Sequence, residues 1–121
     1  MYKLVILIEA QEDNDRFDRR WSEFLAAAEA MPGLRREATS RVDRVLHGGV
    51  QVQMFHELYF DSLKEAAAAM GSPHGEKAGQ ILQEITGGKV SLFLADHTQD
   101  ELSNIRRHQH PQDDAPPGDR A

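Results

Sequence analysis

The sequence predicts an α+β domain in which helices cover one face of a four-stranded antiparallel sheet. Three observations predict it. The chain has 121 residues, which suits one domain with a modest core. Its hydrophobic patterns follow the order strand, helix, strand, strand, helix, strand. Turn residues rich in Gly and Pro separate these patterns, so each one is a bounded element.

The first strand and the first helix occupy the amino-terminal third. Tyr2–Glu9 contains a continuous apolar run, which is typical of a strand buried on both faces in the middle of a sheet. A helix is predicted from Arg16, with Asn14 or Asp15 as its cap. Its apolar residues recur at spacings of three and four up to Met31, so one stripe of the helix faces the core.

Two strands come next, predicted over Leu34–Leu46 and Val50–Phe60, with a hairpin turn at His47-Gly48-Gly49. The first is charged and alternates weakly, which favours either a long, irregular strand or a strand near a sheet edge, where a bulge could occur. The second is the longest strand-like run in the chain. Because side chains alternate along a strand, one face carries Val50, Val52, Met54, His56, Leu58 and Phe60, and the other carries Gln51, Gln53, Phe55, Glu57 and Tyr59.

The last helical region begins near Asp61 as a cap, breaks at Gly71-Ser72-Pro73 and resumes to about Glu84. Ser72 is expected to cap the second segment. A final strand is predicted over Lys89–Asp96. This order is that of the ferredoxin-like βαββαβ fold, with both helical regions on one face of the sheet.

The other sheet face is left uncovered by this arrangement. It would expose Phe55, Tyr59 and parts of the first and last strands. An apolar face of that size is usually an interface. We therefore expect a homodimer in which two sheets meet face to face.

Composition excludes several classes of function. The formal net charge is −6 and the pI is near 5.4, so nucleic acid and anionic membranes are unfavourable partners. No cysteine is present, which fits a cytoplasmic location. Neither a signal peptide nor a membrane-spanning apolar run is visible.

The carboxyl-terminal stretch differs from the rest in composition. We expect one domain over residues 1–97 and a disordered polar tail over 98–121, with at most one helical turn near Glu101 to Arg106. Leu102 and Ile105 are its chief apolar residues, and so few cannot offset the entropy of ordering the tail.

Several short motifs resemble the EthD-like family of small dimeric α/β-barrel proteins in their order and spacing. The resemblance covers about residues 2–96. It is carried by Lys3-Leu4-Val5, Phe17-Asp18, Pro32-Gly33-Leu34-Arg35-Arg36, Glu57-Leu58-Tyr59-Phe60-Asp61-Ser62-Leu63, Ser72-Pro73-His74-Gly75 and Thr86-Gly87-Gly88-Lys89-Val90.

The resemblance implies a ferredoxin-like protomer and a homodimer whose two sheets form a barrel. It also implies catabolic chemistry on small organic molecules, since founding members accompany an ether-degrading oxygenase and relatives include isomerases, monooxygenases and haem enzymes. Many EthD-like sequences carry a His-x-Pro motif in the first helix. That motif should fall near Leu25-Ala26-Ala27 and is absent, which weakens the enzyme hypothesis.

His56 is the first candidate site residue because it lies among apolar neighbours on the face that meets the helices. A neutral imidazole there could act as a general base or ligate haem. The alternative is a buried histidine bonded to a neighbouring side chain or carbonyl. His74 is a surface residue by its place at a helix start, with haem ligation as a weaker alternative. No motif requires a cofactor.

Glu57 and Tyr59 are the second candidates. With Gln51 and Gln53 they could line a polar cavity inside the dimer barrel, where a desolvated carboxylate could move protons. The alternative is a wet dimer interface in which Glu57 pairs with Arg35, Arg41 or Lys3.

Trp21 and Phe24, at helical spacing with Phe17, are most simply core residues. The alternative is an aromatic pocket wall for a small apolar ligand, with Trp21, Phe24 and His56 as ligand-binding residues. We expect no specific metal site. The ligand types in the tail would bind a divalent ion only adventitiously, through His108, His110, Asp113 and Asp114.

Two hypotheses follow for function. The first is a homodimer that binds, and could transform, a small hydrophobic or aromatic metabolite, as an oxidoreductase or isomerase-like enzyme. Cofactor-free oxidation or proton transfer would use His56 as base, with Glu57 or Tyr59 orienting the ligand. The second is a non-catalytic dimeric module, either structural or an accessory subunit of an oxygenase.

Overall fold

The structure, a computed structural model, describes residues 1–102. Its elements are β1 (Tyr2–Glu9), α1 (Asn14–Glu29), β2 (Arg36–Arg41), β3 (Val52–Phe60), α2 (Leu63–Met70), α3 (Pro73–Thr86) and β4 (Val90–Asp96). The four strands form one antiparallel sheet in the order β2-β3-β1-β4. The predicted α+β, ferredoxin-like fold class is therefore confirmed.

Local sequence explains where the helices begin, with two corrections. Asp13 caps α1, and its side chain accepts a hydrogen bond from the Arg16 amide at 3.0 Å, one or two residues earlier than expected. Ser62 rather than Asp61 caps α2, accepting from the Glu65 amide. Ser72 caps α3 with Pro73 at the first helical position, as predicted.

The edge strand β2 is shorter than the sequence predicted. It pairs with β3 only over Arg36–Arg41, and residues 42–51 form a loop instead of a tight hairpin. Leu46 in this loop is 89% exposed, because no element packs over it. The expected position at a sheet edge is correct, whereas the described irregularity of pairing lies between β1 and β3, where Gln53 is skipped between the pairs Ile8–Met54 and Glu9–Val52.

The core lies between the helices and the inner face of the sheet. The antiparallel register places the inner-face side chains of the sheet in rows that cross all four strands. One row contains Thr39, His56, Ile6 and Leu92, and the next contains Glu37, Leu58, Leu4 and Leu94. β1 is central but not buried on both faces as predicted. Its residues alternate between buried and half-buried, because helices cover the inner face alone.

The outer face is less exposed than expected at one end. Tyr59 is buried within the single chain, because the Arg36 guanidinium lies 4.1 Å from its ring centroid and the His97 ring lies at 5.0 Å. Phe55 is half-buried, whereas Phe93 is 51% exposed. The prediction that Tyr59 is exposed in the monomer was therefore wrong.

None of the helices found within residues 1–102 is long and apolar enough to cross a membrane. The predicted disorder of the tail, beyond residue 102, and the adventitious metal ligands His108, His110, Asp113 and Asp114 lie outside the described residues.

Candidate functional site

His56 is carried into the core by the alternation of β3 and is completely buried. Two aromatic rings of α1 meet its ring edge-on. The centroid distances are 5.3 Å to Trp21 and 5.9 Å to Phe24. These two rings also stack on each other at 4.9 Å, so one aromatic wall holds the imidazole in place.

Both nitrogens of the His56 ring face side chains of β2. Nδ1 lies 2.8 Å from the Thr39 hydroxyl, which forms a hydrogen bond with it. Nε2 lies 3.6 Å from Oε2 of Glu37, beyond the usual limit for a hydrogen bond. Among residues 1–102, these two facing atoms are the buried side-chain polar atoms without a hydrogen-bond partner. Such atoms are costly when left unpaired, so this pair is not explained by packing alone.

The electrostatics of the pair follow from its burial. Burial lowers the pKa of His56 from 6.5 to about 4, although the carboxylates of Glu29 and Glu57 oppose the change. Burial, and then a hydrogen bond with Glu29, raises the pKa of Glu37 from 4.5 to about 7. His56 is therefore neutral near pH 7, while Glu37 is poised to exchange a proton.

A cavity of about 270 Å³ lies between α3 and the inner sheet face. Glu76 is its one charged lining residue, and the other lining residues are apolar side chains or glycines: Leu4, Ile6, Phe24, Met31, Leu58, Met70, Gly75, Ala78, Gly79, Leu82 and Leu92. A lining of this kind suits a small apolar or aromatic molecule.

Gly79 keeps part of this cavity wall open. A Cβ built on Gly79 would have no heavy atom within 4 Å, so no neighbouring atom requires glycine there. Glycine in a helix interior costs about 1 kcal/mol relative to alanine. Gly75, one turn earlier, is different, since a Cβ there would lie 2.2 Å from the Ala69 carbonyl oxygen where α2 and α3 meet.

The structure separates the sequence-predicted site residues into two groups. Phe24 lines the cavity, whereas Trp21 and His56 lie behind it and do not. Glu57 and Tyr59 lie on the opposite sheet face from His56. Tyr59 therefore cannot orient a ligand beside His56 within one chain, and the three do not form one catalytic set there.

The outer-face group is a mixed-charge cluster. Lys3 forms an ion pair with Glu57, one of the pairings predicted for a wet interface. The Tyr59 hydroxyl donates to Oε1 of Glu57 at 3.4 Å. The hydrogen bond that Lys3 donates to Glu57 is the main reason that the pKa of Lys3 is raised. These contacts pair the polar groups of the cluster with one another, which fits an interface better than a catalytic centre.

Sequence reasoning missed Glu37 and Thr39. The available signal was their shared face on β2, but the partner of His56 depends on strand register.

His74 is exposed in an open groove between α1 and α3. Haem ligation by His56 fits poorly, because both of its ring nitrogens face β2 and neither faces the cavity.

Comparison with known proteins supports the fold class. No protein-family profile matches the chain. A curated relative, an uncharacterized 11.0 kDa protein from the thcB-thcC intergenic region of Rhodococcus erythropolis, is 26% identical over 97 residues, which is 79% of this chain and 94% of that protein. The similarity therefore spans nearly the whole relative.

Solved structures share the architecture. An EthD family protein from Bacillus halodurans superposes with a TM-score of 0.74 at 24% identity, covering 81% of this chain and 99% of that one. The expected resemblance to EthD-like proteins is thus confirmed at the level of the fold.

Two more neighbours bear on assembly and chemistry. A dimeric protein of ferredoxin-like fold from Bacteroides fragilis has a TM-score of 0.58 at 19% identity, covering 79% of this chain and 95% of that one. SnoaB, a cofactor-independent oxygenase from Streptomyces nogalater, has a TM-score of 0.63 at 13% identity, covering 84% of this chain and 96% of that one. At these identities the likeness concerns the fold alone.

Proposed function

We propose that this protein binds a small hydrophobic or aromatic metabolite in the cavity between α3 and the inner sheet face. The observation that carries the proposal is the lining of that cavity, which is apolar apart from Glu76 and includes the aromatic ring of Phe24. Gly79 supports it, because its missing side chain leaves space at a cost in helix stability.

If the bound metabolite is transformed, the chemistry is proton transfer or cofactor-free oxidation with His56 as the base, and this requires the imidazole to turn toward the cavity, because both of its nitrogens face β2 in this structure. Its imidazole is neutral at physiological pH and therefore able to accept a proton. The Phe24 ring lies between the two places, since it lines the cavity and also meets the His56 ring, so it must move for the imidazole to reach a ligand. The oxygenase description of SnoaB fits this direction.

The working assembly in this proposal is a homodimer through the outer sheet face. Phe93 is exposed there beside half-buried Val5, and both lie in one cross-strand row with Glu57. In a dimer the row would be covered, and Glu57 and Tyr59 would lie at a partly polar interface. Neighbours described as dimeric support this assembly. A cytoplasmic location stays a prediction.

Thermal-shift screening with a panel of small aromatic compounds tests the binding proposal. We expect at least one compound to raise the melting temperature of the wild-type protein, and Gly79→Leu to abolish that rise by filling the cavity. Leu92→Trp is a second way to fill it, from β4. Gln83→Leu is the matched control, because Gln83 is exposed on the same helix and does not line the cavity. Equal responses in all four proteins would rule out the cavity as the site.

The second candidate is a non-catalytic dimeric accessory module of an oxygenase system. A specific observation favours it, since both ring nitrogens of His56 face β2 rather than the cavity. Under this alternative, His56→Ala leaves the biological activity of the partner system intact. If His56 is instead the base of a metabolite-converting enzyme, His56→Ala binds the metabolite and fails to convert it.

A further inference from the structure

The inward oxygen of Glu37 and Nε2 of His56 form an unusual pair of buried atoms. They face each other at 3.6 Å, and neither has another hydrogen-bond partner among residues 1–102. A carboxylate oxygen and an imidazole lone pair are both acceptors, and two facing acceptors repel. A proton between them removes the repulsion, and an approach of the two side chains by roughly 0.5 Å then forms a hydrogen bond that satisfies both atoms.

The Thr39 hydroxyl fits either arrangement of that proton. If the imidazole carries its hydrogen on Nδ1, that nitrogen donates to Thr39 Oγ1 at 2.8 Å and Nε2 accepts from a protonated Glu37. If the hydrogen is on Nε2, it is donated to the Glu37 carboxylate and the hydroxyl donates to Nδ1. The ring can therefore change tautomer without losing a hydrogen bond.

We propose that Glu37 and His56 share one proton, and that the charge state of Glu37 selects the tautomer of His56. When Glu37 is protonated, the imidazole carries its hydrogen on Nδ1. Release of one proton from the pair leaves a carboxylate, and the remaining proton moves to Nε2. Glu37 is thus a positioning residue that connects the buried ring with the sheet edge, where its side chain is 29% exposed.

The surrounding charges favour this placement of the proton. Glu29 of α1 raises the pKa of Glu37, but Glu29 is exposed, so water can satisfy its side chain. Within residues 1–102, Nε2 of His56 has no hydrogen-bond partner, and the atom facing it is Oε2 of Glu37. A proton is therefore more stabilising on the inward oxygen than toward Glu29. Glu57 acts on His56 at longer range from the other sheet face.

The pair also provides a route for protons. The proton between Nε2 and the Glu37 carboxyl can leave to solvent at the β2 edge, where the Glu37 side chain is 29% exposed. The shared proton does not rest on the proposed function of His56 as a base.

Nuclear magnetic resonance of protein labelled with ¹⁵N-histidine tests the shared proton without any ligand. We expect His56 to be neutral from about pH 5 to about pH 9 and to change from the Nδ1–H to the Nε2–H tautomer with a midpoint near 7. Glu37→Gln abolishes the transition. Glu29→Gln moves the midpoint to lower pH, because a negative neighbour of Glu37 is lost. Glu12→Gln, an exposed carboxylate on a distant loop, leaves it unchanged.

Three results would overturn the inference: one tautomer throughout in the wild type, a transition that persists in Glu37→Gln, or an imidazolium that forms near pH 6.5. If Glu37→Gln does not fold, the shift of the tautomer midpoint in Glu29→Gln tests the inference, and an unchanged midpoint would overturn it. Failure of aromatic probes to bind would count against the proposed function and leave this result intact, so the two proposals fail separately.

Discussion

Replacing Glu37 with Gln makes the stability of the folded state depend more steeply on pH in the acid range. His56 is neutral when folded because burial lowers its pKa to about 4, but an unfolded chain protonates it near 6.5. Between these values the unfolded state binds more protons, so stability is present above pH 6.5 and is lost as the pH falls toward 4. At about 1.4 kcal/mol for each pKa unit, the full loss is about 3 kcal/mol.

Glu37 opposes this effect in the wild-type protein. Its pKa is raised from 4.5 to about 7, so its contribution to stability is lost as the pH rises through that interval. Solvent reaches 29% of its side chain, and screening reduces the contribution to on the order of 1–2 kcal/mol. The wild-type change between pH 4.5 and 6.5 is therefore smaller than that of Glu37→Gln.

Urea unfolding at several pH values within this interval measures the effect. The free energy of unfolding of Glu37→Gln should rise with pH more steeply than that of the wild type, and His56→Gln should reverse the sign of the slope. Glu12→Gln is the control and should follow the wild type. A Glu37→Gln slope equal to or shallower than the wild-type slope would refute the reasoning.

The remaining predictions concern packing and assembly. Gly75→Ala should lower the free energy of unfolding by roughly 1–3 kcal/mol, because the methyl group would overlap the backbone of α2. Gly79→Ala in the same helix should raise the free energy of unfolding by about 0.5–1 kcal/mol. Chemical denaturation measures both changes, and changes of the same sign would contradict the assignment of free space at Gly79. Phe93→Asp should break the proposed homodimer and so halve the mass measured by sedimentation equilibrium. The control Leu46→Asp, in the exposed loop, should leave the mass unchanged. A wild-type mass equal to one chain would exclude the homodimer.

The sequence was sufficient for the order of elements and for the two faces of β3. A strand places alternate residues on opposite faces whatever its neighbours are, so the burial of Met54, His56 and Leu58 could be predicted. The Ser72-Pro73 start of α3 was predictable for a similar reason, because capping is local.

The partners of His56 could not be predicted, because they depend on register. A turn at His47-Gly48-Gly49 would place Leu46 opposite Val50 and hence Ser40 opposite His56. The longer loop places Thr39 there instead. A shift of one residue exchanges the faces of β2, so Glu37 meets His56 only in the observed register. The cavity is equally non-local, since it lies where α3, α1 and the sheet converge.

The central claim is that the apolar cavity binds a small aromatic molecule. Titration of ¹³C-methyl-labelled protein with indole, followed by nuclear magnetic resonance, tests it most directly. We predict saturable shifts in the methyl signals of Leu58, Leu82 and Leu92, all of which line the cavity, and their loss in Gly79→Leu. Unchanged signals from these three residues, or shifts confined to the groove between α1 and α3, would contradict the claim.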